Sequence, residues 1–79
     1  MKETRMETKF GSFDTWQELL AFVSADYKLF YHAPMDYRPA VVSAVIRRDG
    51  KLRVTPIYSD ADPFTADAGH LSRFRREIR

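Results

Sequence analysis

Cysteine is absent from this chain of 79 residues. Disulfides, thiolate nucleophiles and cysteine metal sites are thereby excluded. Small secreted domains usually carry disulfides, so the absence favours a cytosolic setting. Glycine occurs three times, at isolated positions, which leaves no glycine-rich phosphate loop. Histidine occurs twice, as His32 and His70, whereas a zinc site without cysteine usually takes two or three histidines and a carboxylate. The N-terminal stretch Met1–Lys9 has no apolar run behind it, and no run is long enough for a membrane span. A soluble, cytoplasmic protein with no signal peptide, no cofactor and no membrane partner is the expectation.

What is present is a globular composition. Hydrophobic residues make up 44% and charged residues 30%, outside the disordered range. A chain of this size buries about 60–65% of the surface its unfolded form exposes, so one modest core must hold it. Aromatic residues, at 14%, let few side chains bury much area. The net charge is +2, and its distribution is uneven. Residues 1–46 hold five basic and six acidic groups, and residues 47–79 hold eight and five. The positive excess lies in the C-terminal half.

Residues 1–11 alternate in charge without apolar periodicity and read as a disordered tail before a single domain over 12–79. Residues 13–25 read as an amphipathic helix. Trp16, Leu19, Leu20 and Val23 share one stripe, widened by Phe22. Asp14 with Gln17, or Thr15 with Glu18, would form a capping box. Residues 27–33 are aromatic and short, a strand by propensity. Pro34 and Pro39 bracket a loop. Residues 40–48 and 51–58 read as two further strands around Asp49-Gly50, a strong hairpin signal.

Taken as a two-residue turn, Asp49-Gly50 sets a register in which Arg47 faces Leu52 and Val45 faces Val54. That face, with Ser43–Pro56 and Val41–Tyr58, is expected against the core. Arg48, Lys51 and Arg53 then gather on the outer face near the tip, and a slip of one residue would exchange the faces. Residues 59–66 are rich in turn formers. Asp67 is placed to cap a last helix to about Glu77, with Leu71, Phe74 and Ile78 on its apolar stripe. The expected fold is α+β: an N-terminal helix packed on a three-stranded antiparallel sheet, with a short C-terminal helix. A strongly bent sheet would instead make a small SH3-like β-barrel with flanking helices.

Two basic clusters are the candidate binding residues. Arg47, Arg48, Lys51 and Arg53 lie at the hairpin tip, where cations could contact a phosphate backbone or guard an exposed strand. Arg73, Arg75, Arg76 and Arg79 surround the last apolar stripe, where they could meet phosphates or simply solvate the surface. Tyr27, Phe30, Tyr31, His32 and Tyr37 form an aromatic-rich segment suited to core packing or to base stacking. Asp60, Asp62, Asp67 and His70 lack the further ligands of a calcium loop and fit turn and cap roles. Ser24, Ser43, Ser59 and Ser72 offer hydroxyls, but no nucleophile elbow surrounds any of them. No catalytic and no metal role is expected.

The runs Tyr31–Pro39 and Asp62–Leu71 resemble short bacterial proteins of plasmid- or phage-like elements. The resemblance spans roughly residues 27–76 and implies an accessory protein without a defined activity. The leading expectation is a nucleic-acid-binding domain using the eight cations above. The alternative is a protein-interaction module or homodimer that pairs through a free strand edge, either residues 27–33 or 51–58.

Overall fold

The computed structural model describes residues 9–78. In chain order its elements are β1 (Lys9–Gly11), α1 (Trp16–Ser24), β2 (Leu29–Tyr31), β3 (Ala40–Ile46), β4 (Leu52–Pro56), β5 (Phe64–Ala66), a 3-10 helix (Ala68–Arg73) and β6 (Phe74–Ile78). The α+β class holds. The sheet has six strands rather than three, in the order β1-β6-β2-β3-β4-β5, with every neighbouring pair antiparallel.

Of the two capping boxes the sequence allows, Thr15 with Glu18 is used. Thr15 Oγ1 accepts from the Glu18 N–H at 3.0 Å, and Glu18 Oε1 accepts from the Asp14 N–H at 3.0 Å. The helix stops where Asp26 enters the left-handed region at φ 64°, a conformation that Asp tolerates better than most residues. Leu19 is fully buried, and Trp16, Leu20, Phe22 and Val23 pack around it on the core.

The hairpin departs from the expected register by one residue. Ile46 faces Leu52, Ala44 faces Val54 and Val42 faces Pro56. Arg47 N–H donates to Lys51 O at 2.8 Å, so the loop is three residues, Arg48 to Gly50, with Gly50 at φ 84°. Glycine in the left-handed region at the end of a three-residue loop is the alternative use of an Asp-Gly pair. The slip turns Val42 and Ala44 inward and Val45 outward, leaving Val45 63% exposed. The inward set on β4, Leu52, Val54 and Pro56, is as expected. The physical reason lies on β3: the two-residue register would aim Arg47 at the core, and the slip returns it to solvent.

Residues 74–78 form a strand, not a helical turn. Phe74 is fully buried, and its chain pairs with β2 on one side and β1 on the other. Asp67 does cap, but it caps a 3-10 helix that ends at Arg73. Residues 9–11, expected in the tail, are the edge strand β1; residues 1–8 of that tail lie outside the described residues. The strands over 27–33 and 51–58 are interior, with neighbours on both sides, so neither offers a free edge; β1 and β5 end the sheet.

The sheet is curled. Phe64 on β5 aligns through Val54 with Ala44, four residues beyond Ala40, the partner of Tyr31. On a flat sheet Tyr31 and Phe64 would be roughly 20 Å apart. Their ring centroids are 5.0 Å apart, so β5 folds back over β2. Helix α1 covers the concave side, and the core of Phe13, Leu19, Leu29, Val42, Leu52, Val54, Ala66 and Phe74 fills the space between. Pro56, which lacks an N–H for a ladder, stands at the end of β4, past the last residue that β5 pairs.

Candidate functional site

The tip of the β3–β4 hairpin is a built structure. Gly50 N–H donates to Arg47 O at 3.0 Å, and Lys51 N–H donates to Asp49 Oδ1 at 3.1 Å. From outside the hairpin, Trp16 Nε1 donates to Gly50 O at 2.8 Å. The first turn of α1 therefore holds the turn in place.

On this tip the slipped register changes the charge map. Arg53 lies opposite Val45 on the convex face, and Arg47 now stands on that face too, beside Lys51. Arg47 is held at both ends of its guanidinium, by Asp49 Oδ2 at 3.4 Å and by Thr65 Oγ1 at 3.2 Å. Arg48, Lys51 and Arg53 are exposed and have no ion pair among the described residues. The other acid near the tip is Asp67, which feels the Lys51 charge.

The second cluster does not join the first. Arg76 points to the concave side, where it meets Glu18 Oε2 at 3.3 Å and lies over the Phe13 ring at 4.9 Å. It ties β6 to α1. Arg75 lies on the convex face opposite Phe30, but its Nη1 donates to the carbonyls of Ser72 and of Phe74, the latter at 2.9 Å. Arg73 sits at the end of the 3-10 helix. Arg75 is three strands across and four residues along from Arg53, roughly 20 Å even before curvature is counted. Arg79 lies outside the described residues.

The aromatic segment is divided between faces. Tyr31 points inward between Phe64 and Phe74. Burial pushes its phenol pKa up, and the nearby Arg73 cation partly offsets this. Phe30 packs on Phe10 across the convex face, whereas Tyr27 packs against Phe22 of α1. Tyr37 is 95% exposed. No continuous stacking row results.

Asp67 and His70 form a reciprocal cap. Asp67 Oδ1 accepts from the Gly69 N–H at 3.0 Å, and the Asp67 N–H donates to His70 Nδ1 at 3.1 Å. The Gly69 hydrogen bond, aided by His70, holds the Asp67 carboxyl below its ordinary range. No group of three or more metal-ligating side chains is gathered among the described residues. No helix among them is long and apolar enough to cross a membrane.

One grouping was not foreseen. Strand β6 lies beside β2, which brings Ser72, Arg73 and Arg75 next to His32, Ala33 and Pro34 around a cavity of about 250 Å³. The alternation of Phe74 and Arg76 with Arg75 and Glu77 was the available signal, masked by an equally good helical spacing. Comparison of the chain with protein-family models, curated proteins and solved structures gives no match.

Proposed function

We propose that this chain is a small nucleic-acid-binding domain built on an SH3-like curled sheet, with the β3–β4 hairpin tip as its contact element. The observation that carries the reading is the slipped register, which puts Arg47, Arg48, Lys51 and Arg53 together at one braced end of the hairpin. A rigid tip loses little conformational freedom on binding. Arg48, Lys51 and Arg53 make the phosphate contacts, and Arg47 with Asp49 and Thr65 sets the shape of the tip. Phosphate contacts position a protein without reading sequence, so binding is non-specific.

Anisotropy of labelled single- and double-stranded oligonucleotides, titrated across salt, tests this. Affinity falls as salt rises, and Arg48→Glu with Lys51→Glu and Arg53→Glu lowers it at least about tenfold while reducing the salt slope. Unchanged Trp16 emission in that variant shows that the fold is kept. Absence of binding at low salt would sink the proposal. A protein-interaction role is the second reading, supported by the two sheet ends: a partner strand would add to β1 or β5, not to β2 or β4.

A further inference from the structure

The cavity between the β2–β3 loop and the start of β6 goes beyond this reading and does not rest on it. Its lining is His32, Ala33, Pro34, Ser72, Arg73 and Arg75, which includes two guanidinium groups and no carboxylate. Neither arginine has an ion pair among the described residues. The carbonyls at this end of the 3-10 helix, which would repel an anion, are already occupied. Arg73 O accepts from the His32 N–H at 2.7 Å, and the carbonyls of Ser72 and Phe74 accept from Arg75 Nη1. Those bonds also fix the Arg75 side chain, leaving its Nε and Nη2 as unspent donors. His32 Nε2 is within 3.0 Å of Asp36 O, which orients the ring.

We propose that this cavity is a binding site for a phosphate monoester group. Two positive charges, that of Arg75 held in place by its bonds to the Ser72 and Phe74 carbonyls, match a dianion. The donors of two guanidinium groups and the Ser72 hydroxyl outnumber what the two oxygens of a carboxylate can accept, and they suit the three terminal oxygens of a phosphate. At about 250 Å³ the cavity is smaller than the roughly 300–1,000 Å³ of sites that enclose a whole organic ligand. It takes the phosphate and leaves the attached group outside.

The probe is inorganic phosphate, titrated into the isotope-labelled chain at low ionic strength and followed by amide NMR. Saturable shifts centred on His32, Ala33, Ser72, Arg73 and Arg75 are expected. Arg73→Gln weakens them about tenfold, the loss of a charged hydrogen bond. Arg48→Glu, on the distant tip, leaves them unchanged. Shifts that never saturate, that centre on residues 47–53, or that acetate reproduces at equal concentration would overturn the proposal. The wild-type map decides this by itself, so a poorly folded Arg73→Gln leaves the test intact. Oligonucleotides with and without a 5′-phosphate separate the sources. A gain from the 5′-phosphate seen at these same amides supports the site with a nucleic-acid end as its ligand. Binding of inorganic phosphate without that gain supports it with a free small phosphate. These outcomes are independent of the hairpin tip, whose failure to bind oligonucleotides would not move the inorganic phosphate titration.

Discussion

Asp67 caps the 3-10 helix through both its carboxylate and its backbone N–H. It follows β5 and feels the charge of Lys51 in the hairpin. Its carboxyl is held below the ordinary value of 3.8, first by the Gly69 N–H. The folded state therefore prefers the carboxylate. Its contribution to stability is fully present above that ordinary value and is lost as pH falls through the lowered native one. Asp67→Ala is expected to lower the urea midpoint at neutral pH by removing the cap. Asp67→Asn keeps an acceptor, and its midpoint should change less than the wild type's between pH 5 and 2, on the order of the range over which such a group titrates. Parallel acid profiles for the wild type and the Asp67→Asn variant would remove this account. The cap was legible in the sequence, because Asp before a short helical start needs nothing distant. The closeness of the Arg73 charge to Tyr31 was not, since it depends on strands that are far apart in the chain.

At the scale of elements, the β3–β4 turn is the instructive case. Asp49-Gly50 marks a hairpin in the sequence, yet the same pair serves loops of two and of three residues. Local chemistry cannot choose between them. The choice is made by which residues of β3 end inside, and burying Val42 and packing Ala44 on the core in place of Arg47 settles it. Gly50 has open space where a Cβ would go, so the cost of a side chain there is purely its φ of 84°. Gly50→Ala should destabilise by about 1–2 kcal/mol in chemical denaturation, and Gly50→Asn by less. A direct check of register is a close Hα–Hα contact between Ala44 and Val54 in NMR spectra. A contact between Val45 and Val54 instead would return the two-residue loop.

The three missed strands fail for related reasons. β1 and β5 have three residues each, too few to display a period. β6 carries Phe74 and Ile78 at a spacing that a helix and a strand accommodate equally well. It becomes a strand because β2 and β1 both need a partner for their backbone groups, a requirement that appears only once the sheet exists.

For the whole molecule, curvature and bracing act together. Trp16 touches the fully buried Phe74 and bonds to the hairpin turn, so one side chain reports on helix, turn and sheet. Its fluorescence and the far-UV circular dichroism should follow the same unfolding curve in denaturant. Separate midpoints would mean that the helix detaches before the sheet opens. The tip cations of the candidate site could be found from sequence, since a hairpin places its own turn. The cavity of His32, Arg73 and Arg75 could not, because three strands and their connecting loops separate its halves along the chain and the pairing of β6 with β2 unites them.

Lys9 and Ile78 are register partners on neighbouring strands, so the first and last described residues of the fold lie about 5 Å apart. The described stretch, residues 9–78, is therefore nearly a closed loop in space, and its order of elements is one cut among several that the same structure permits. Joining those ends with a short glycine-serine linker and opening the chain in the exposed connector at residues 57–63 should yield a circular permutant with the same sheet. In that permutant β5 would enter the fold first and β4 last, with the hairpin tip and the arginine cavity both kept whole.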